Sequence, residues 1–145
     1  YVLPNANVTI NDCIVKGKFN ATTSAGQSGM SGFVHTMKGS CTLNNCLYFG
    51  ENNATAGNTF APSGTTLNNC YFTRTCGTTQ GMMTVDLQLE SGYLTYLLQK
   101  GRSNMVWGQK LGTDSEPMLT TDESKAHLQG GVHLQRQRVG HAVCE

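Results

Sequence analysis

Charge is scarce in this 145-residue sequence, in which only 13% of the residues are charged and the formal net charge is +1. Nucleic-acid binding needs a basic field, so we expect no nucleic-acid partner. No run of about eighteen apolar residues occurs, which predicts no membrane span. The chain begins at Tyr1 with no signal-like apolar region. We therefore expect a mature protein or a piece of a longer one.

Residues suited to catalysis are equally scarce. Residues 1–80 contain two carboxylates, Asp12 and Glu51, and His35 is the one histidine before residue 126. No phosphate-binding loop, dinucleotide fingerprint or zinc signature is present. Asp86 and Glu90 lie four residues apart, a spacing typical of a solvated helix face. We predict that the protein is not an enzyme, holds no metal and needs no cofactor.

Three copies of one short phrase organise the first half of the chain. They read Val8-Thr9-Ile10-Asn11-Asp12-Cys13, Cys41-Thr42-Leu43-Asn44-Asn45-Cys46 and Thr65-Thr66-Leu67-Asn68-Asn69-Cys70. Alternation over the first residues of each copy predicts a short strand with one buried face. Asn and Asp tolerate left-handed backbone and so suit a corner, after which a second short strand follows.

Strand, corner and strand in series predict a stacked architecture. The copies start 33 and then 24 residues apart, which fits one turn each. We predict a mainly β fold, a right-handed β-helix or solenoid of about three coils, over residues 1–80. Phe33 and Phe60, which precede the second and third copies, are expected to stack as a third inward face.

The aligned copies define columns of equivalent residues. Threonines between the inward residues are predicted to face outward. The predicted structural ladder is Cys13, Cys46, Cys70, Ile10, Leu43, Leu67, Asn11, Asn44 and Asn68. Packing as small buried hydrophobes is the first interpretation of the cysteines, and a disulfide between neighbouring coils or a metal site are the alternatives. Cys41 and Cys76 stand apart and are candidates for free thiols.

The repeated Asn and Thr pattern ends after residue 80. For residues 81–125 we predict a helical capping segment with terminal strands, because an open stack exposes an apolar end. Thr84 and Ser91 are candidate helix caps, and Gly101 ends the second helix. Tyr93, Tyr96 and Trp107 are interpreted as core residues, with a sugar-stacking platform as the alternative. Residues 126–145 are interpreted as an atypical tail, for which disorder is one interpretation, and His127, His133, His141 and Cys144 match no familiar metal spacing.

A family resemblance covers roughly residues 5–125. The Gly32-Phe33-Val34 and Thr42-Leu43-Asn44-Asn45-Cys46 texture is similar to the GLUG-type repeats of bacterial surface proteins. The stretches from Leu89 to Gln99 and from Val106 to Leu119 resemble the segment that follows such repeats in large surface proteins of gut Bacteroidetes. The resemblance implies a secreted, surface-anchored protein, in some cases with an adhesin-like role, and it carries no catalytic residues.

Two functional hypotheses follow. The first is a non-catalytic bacterial cell-surface module with a structural or adhesive role, meeting a host or microbial glycan or a surface protein. Its candidate ligand surface is Thr9, Thr42, Thr66 and Trp107, with the loops Asn20–Ser31 and Glu51–Asn58. The second is a carbohydrate-binding or carbohydrate-degrading β-helix fragment. Both predict an extracellular location.

Overall fold

The computed structural model describes residues 1–52, 57–73, 81–83 and 86–125. The chain divides into two compact units, Tyr1–Thr84 and Val85–Glu145. The sequence suggests boundaries after residues 80 and 125, whereas the first unit extends to Thr84. Residues 126–145 lie outside the described residues, as do Cys76, Thr84 and the tail histidines.

Short parallel strands form two sheets in the first unit. Its elements are β1 (Asn7–Asn11), β2 (Ile14–Phe19), α1 (Ser24–Gly29), β3 (Ser40–Asn44), β4 (Leu47–Asn52), β5 (Thr66–Asn68), β6 (Tyr71–Phe72) and β7 (Met82–Met83). One sheet has three strands in the order β1-β3-β5, and the other has four in the order β2-β4-β6-β7.

The parallel register pairs equivalent positions of the three phrases. Ile10 lies opposite Leu43, and Leu43 lies opposite Leu67. In the second sheet Val15 lies opposite Tyr48, which lies opposite Phe72. Identical steps along the chain therefore meet in adjacent strands, as the alignment of the phrases predicts.

Each phrase turns a corner at the second residue of its Asn-Asn or Asn-Asp pair. Asp12, Asn45 and Asn69 have positive φ angles of 55°, 52° and 54°. Asn and Asp reach this left-handed region more readily than other residues with a side chain. The sequence prediction of an Asn corner between two strands is confirmed.

The core of the first unit is built from the inward residues of both sheets. Leu43, Cys46 and Phe60 are fully buried, and Tyr48 is 1% exposed. Phe33 and Phe60 stack with ring centroids 5.2 Å apart, which confirms that prediction. Tyr48 also packs against glycine: a Cβ on Gly32 would lie 2.8 Å from its ring and 2.1 Å from the Thr59 carbonyl oxygen.

The second unit contains short helices followed by a small antiparallel hairpin. Its elements are α2 (Asp86–Glu90), α3 (Tyr93–Gln99), β8 (Trp107–Gly108), β9 (Met118–Leu119) and a 3-10 turn (Glu123–Lys125). Trp107 pairs with Leu119 and Gly108 with Met118. Gly92 occupies the N-cap position of helix α3, and the Tyr93 amide donates to Ser91 Oγ at 3.4 Å. Gly101 follows the end of the helix with φ of 81°.

Two buried glutamines hold the loops of the second unit. Gln99 donates to the Asn104 carbonyl at 2.8 Å, and its side-chain oxygen accepts from the Val106 and Trp107 amides, each at 2.8 Å. Gln109 accepts from the Thr95 hydroxyl at 2.7 Å. Because both amides are buried and bonded through their nitrogen and oxygen, they replace backbone partners that these loops lack.

The predicted fold class is wrong. The structure is a small mixed fold with short strands in small parallel and antiparallel sheets, none of them closed or solenoid-like, and it is not a three-coil β-helix. The predicted third inward face explains the difference. Between β2 and β3 the described chain forms α1 and the single bridges Ser31↔Asn58 and Val2↔Met37 instead of a strand. Phe33 and Phe60 stack there without a third sheet.

Candidate binding face

The outward face of the β1-β3-β5 sheet consists entirely of uncharged polar side chains. Its eight members are Asn7, Thr9, Asn11, Ser40, Thr42, Asn44, Thr66 and Asn68, here called the polar face. Alternation places them opposite the inward Val8, Ile10, Cys41, Leu43 and Leu67. Thr42 and Asn44, in the central strand, are half-buried, and the other six are exposed. The face therefore offers hydroxyl and amide groups without charge.

The asparagines of the polar face are bonded to one another. Asn44 Nδ2 donates to Asn11 Oδ1 at 2.8 Å, and Asn68 Nδ2 donates to Asn44 Oδ1 at the same distance. At the other end of the strands, the Ser40 hydroxyl donates to Asn7 Oδ1. These bonds fix the side-chain orientation, which lowers the entropy that a ligand would have to remove.

The threonine row between those bonds has free hydroxyls. Thr9 lies opposite Thr42, and Thr42 opposite Thr66. Within the described residues, no hydrogen bond occupies any of these three hydroxyls. Each hydroxyl can donate once and accept twice, so the row presents a repeating set of donors and acceptors at the spacing of adjacent strands, about 4.8 Å.

A second amide row lies at the corners. Asn69 Nδ2 donates to Asn45 Oδ1 at 2.7 Å, and the Tyr71 hydroxyl donates to Asn69 Oδ1 at 2.6 Å. This row is half-buried and is bonded to a buried tyrosine. It stabilises the turn and adds little to the ligand surface.

The cysteine column lies beneath the corners and packs inside the unit. Cys46 and Cys70 are buried and Cys13 is half-buried, and all three are free thiols, as is the buried Cys41. Their Sγ atoms lie near backbone carbonyls, for example Cys70 Sγ at 3.3 Å from the Leu43 oxygen. No group of three or more potential metal ligands occurs in the described residues.

Cys46 and Cys70 interact through their thiols. A hydrogen bond with the Cys70 thiol, reinforced by burial, raises the pKa of Cys46. The same bond lowers the pKa of Cys70, because its thiolate would accept from Cys46, while burial opposes that shift. Burial also raises the pKa of Cys41. These shifts follow from core packing, and the thiols of Cys41 and Cys46 are poor nucleophiles.

The aromatic candidates of the second unit differ in burial. Trp107 is fully buried, so it belongs to the core and is not part of a ligand surface. Tyr93 and Tyr96 are 49% and 41% exposed, so their interpretation as core residues is wrong. Their rings stack with centroids 6.1 Å apart and an angle of 24°. Leu94, Leu97 and Leu98 on the inner side of α3 are better buried, which turns the tyrosines outward.

The two predicted loops have different outcomes. Asn20–Ser31 contains helix α1, where the Gly26 amide donates to Thr23 Oγ1 at 3.1 Å. Glu51–Asn58 includes residues 53–56, which lie outside the described residues. The loops therefore add no defined side-chain constellation to the polar face.

Comparison with known proteins identifies no relative. No family model, no curated protein and no solved structure matches the chain. Within the described residues, no helix has the length and apolar character that crossing a membrane requires.

Proposed function

We propose that this chain is a non-catalytic, extracellular module with a structural or adhesive role, and that its polar face binds a neutral glycan. The observation that supports the proposal is the combination of free threonine hydroxyls with asparagines held in place by their own hydrogen bonds. A bacterial cell-surface setting accords with the GLUG-type resemblance of the repeats.

The chemistry of the face favours a neutral sugar over a charged ligand. Sugar hydroxyls both donate and accept hydrogen bonds, and so do threonine hydroxyls and asparagine amides. None of the eight face residues is charged. A carboxylated or sulfated glycan would lose hydration there without gaining an ion pair.

The experiment is a glycan array of neutral and acidic glycans, probed with the whole chain and with the triple variant Thr9→Val, Thr42→Val, Thr66→Val. Valine keeps the β-branched shape that suits a strand and removes only the hydroxyl. We expect binding to neutral glycans and at least about a tenfold loss in the triple variant, since about 1 kcal/mol is at stake per hydrogen bond.

The matched control is Thr22→Val, an exposed threonine outside the face, which should bind as the parent does. Three outcomes would contradict the proposal: no glycan is bound, only acidic glycans are bound, or the triple variant binds unchanged.

A second candidate function places carbohydrate binding on the second unit. The observation that favours it is the exposed, stacked Tyr93–Tyr96 pair. An aromatic ring offers an apolar surface and tyrosine adds a polar hydroxyl, which together suit a sugar ring. Loss of array binding in Tyr93→Ala, Tyr96→Ala but not in the threonine variant would assign the site there.

Hydrolysis of a carbohydrate is not part of the proposal. Glycoside hydrolysis needs paired carboxyl groups on either side of the bond. In the second unit Asp114 is bonded to the Lys125 ammonium at 2.7 Å and to the Lys110 amide at 2.7 Å. That carboxylate therefore has a structural partner.

A further inference from the structure

Strand β1 is the outer strand of its sheet and leaves one edge open. In the described part of the chain it pairs with β3 on one side only. The backbone hydrogen bonds at its ends show which residues face β3: the Ser40 amide donates to the Ala6 carbonyl at 2.9 Å, and the Asp12 amide donates to the Asn44 carbonyl at 3.0 Å. Because parallel bonding alternates along a strand, the Thr9 amide and carbonyl face the open edge.

The apolar residues of the first phrase are incompletely covered. Leu43, Cys46 and Leu47 of the second repeat are fully buried, whereas the equivalent residues of the first repeat, Ile10, Cys13 and Ile14, are half-buried. The same difference separates half-buried Val15 from Tyr48, which is 1% exposed. The second phrase is buried because strands flank it on both sides, and the first has a neighbour on one side only.

The hydrogen-bonded row of Asn11, Asn44 and Asn68, here called the amide ladder, runs in one direction, and its end at β1 is the Asn11 amide donor. Asn44 donates to Asn11, and Asn68 donates to Asn44. Asn11 therefore uses its oxygen within the ladder, while its Nδ2 group has no protein partner among the described residues. A strand added to this edge in the same register would satisfy that donor if it carried an Asn oxygen at the matching position.

Strand β2, the edge strand of the other sheet, has features that discourage pairing with a further strand. It presents exposed Lys16 and Lys18 on either side of Gly17, whose φ is 127°. Lysines and a local kink are features that discourage pairing at a strand edge. Strand β1 has neither, since its members are Asn, Val, Thr, Ile and Asn.

We propose that the open edge of β1 binds a parallel strand of the same repeat type, supplied by a partner polypeptide. The bound segment has the form x-Thr-[Ile/Leu]-Asn. Its backbone pairs with Thr9, its Ile or Leu covers Ile10, and its Asn oxygen accepts from Asn11 Nδ2. This is strand addition, in which backbone bonds supply affinity and alternate side chains supply specificity.

The test uses a labelled peptide with the sequence of residues 40–49, Ser-Cys-Thr-Leu-Asn-Asn-Cys-Leu-Tyr-Phe, and the whole chain under reducing conditions. Fluorescence anisotropy measures binding, with a scrambled peptide as reference. We expect the native-order peptide to bind and the scrambled one not to bind. Replacing the first Asn of the peptide by Ala should weaken binding about threefold to tenfold, because it removes the acceptor for Asn11 without altering the protein.

Two protein variants separate the edge from the polar face. Thr9→Pro removes the amide that faces the open edge but none that bonds β3, and should weaken peptide binding about tenfold or more. Thr9→Val keeps that amide and should bind the peptide within about twofold of the parent. Equal binding of the scrambled peptide, absence of peptide binding, or an equal loss in both variants would overturn the proposal. Loss of glycan binding in the threonine-to-valine variants with peptide binding retained would show that the two surfaces act separately.

Discussion

The two units of this chain stabilise their backbones in different ways. In the first unit the strands bond to adjacent parallel strands, and equivalent side chains of the three phrases meet in register. In the second unit two buried glutamines act as the partners of loop backbone groups. A repeat distributes its stability over several similar contacts, whereas the second unit concentrates it in a few unique ones. Substitutions should therefore be tolerated differently in the two units.

The largest effect is expected for Gln99→Leu in the second unit. The variant leaves the Asn104 carbonyl and the Val106 and Trp107 amides without their side-chain partner. The Trp107 amide is buried and the other two groups are part-buried. An unpaired buried polar group costs about 1–3 kcal/mol and a part-buried one less, so we expect a loss of about 4 kcal/mol in the free energy of unfolding. Trp107 is the single tryptophan and is fully buried, so its fluorescence during urea unfolding reports on this unit.

The control for that measurement is Lys100→Leu, which places leucine at an exposed position next to Gln99. It should change the unfolding free energy by no more than about 0.5 kcal/mol. A Gln99→Leu variant as stable as this control would show that the glutamine contacts are not what holds the loops.

The first unit also has close glycine contacts that its repeats do not duplicate, and Gly32→Ala tests one of them. An added Cβ would lie 2.1 Å from the Thr59 carbonyl oxygen and 2.8 Å from the Tyr48 ring. The carbonyl belongs to the backbone, so relief requires a backbone shift, and we expect a loss of about 3 kcal/mol. Circular dichroism during thermal unfolding, with Trp107 fluorescence as a separate monitor of the second unit, measures it.

The reference substitution is Gly26→Ala within α1, where the nearest atom to the new Cβ is a flexible side-chain oxygen at 3.1 Å. Alanine is favoured over glycine in a helix, so stability should stay within about 1 kcal/mol of the parent. Equal effects at the two glycines would mean that the close approach to Thr59 does not constrain the fold.

A smaller and graded effect is expected within the amide ladder. Asn44→Ala removes two side-chain hydrogen bonds, and Asn68→Ala removes one. We expect Asn44→Ala to lower the free energy of unfolding by about 1–2 kcal/mol and Asn68→Ala by about half as much. The losses are small because these amides are partly hydrated in the folded state. Urea unfolding of both variants gives the ratio. Indistinguishable variants would contradict the idea that the ladder shares its stability along the row.

The same contrast explains how far the sequence could be interpreted. Repeated phrases predict register directly, since equal spacing brings Ile10, Leu43 and Leu67 together, and Asn chemistry predicts the corners. Periodicity does not determine whether the sheets close. The linking segments form α1 and single bridges, which no repeat encodes, and so the predicted β-helix is wrong.

The second unit shows the other limit. Glutamine is usually exposed in folded proteins, and Gln99 and Gln109 lie in no periodic pattern. The sequence therefore does not predict that both are buried. The capping role predicted for this segment places Tyr93 and Tyr96 in the core, yet they are spaced three apart on the outer side of α3, where the helix exposes both rings. Helical periodicity places Leu94, Leu97 and Leu98 on one face, and the burial of Leu94 and Leu98 there turns the two tyrosines to the opposite face.

The smallest expected effect concerns pH and the Asp114–Lys125 pair of the second unit. The hydrogen bond from Lys125, followed by that from the Lys110 amide, lowers the pKa of Asp114 below its ordinary value of 3.8. A carboxyl group whose pKa is lower in the folded state stabilises the fold above its unfolded pKa and loses that contribution as the pH falls through the folded value. Unfolding followed by Trp107 fluorescence should therefore show stability falling below about pH 4, and Asp114→Asn should flatten that decline.

The matched control variant is Asp122→Asn. Hydrogen bonds with Ser124 also lower the pKa of Asp122. Since Asp122 bonds a backbone amide and no ammonium group directly, added salt should reduce the acid dependence that Asp114 contributes more than that which Asp122 contributes. Equal salt sensitivity of the two variants would show that the ion pair to Lys125 adds nothing beyond hydrogen bonding.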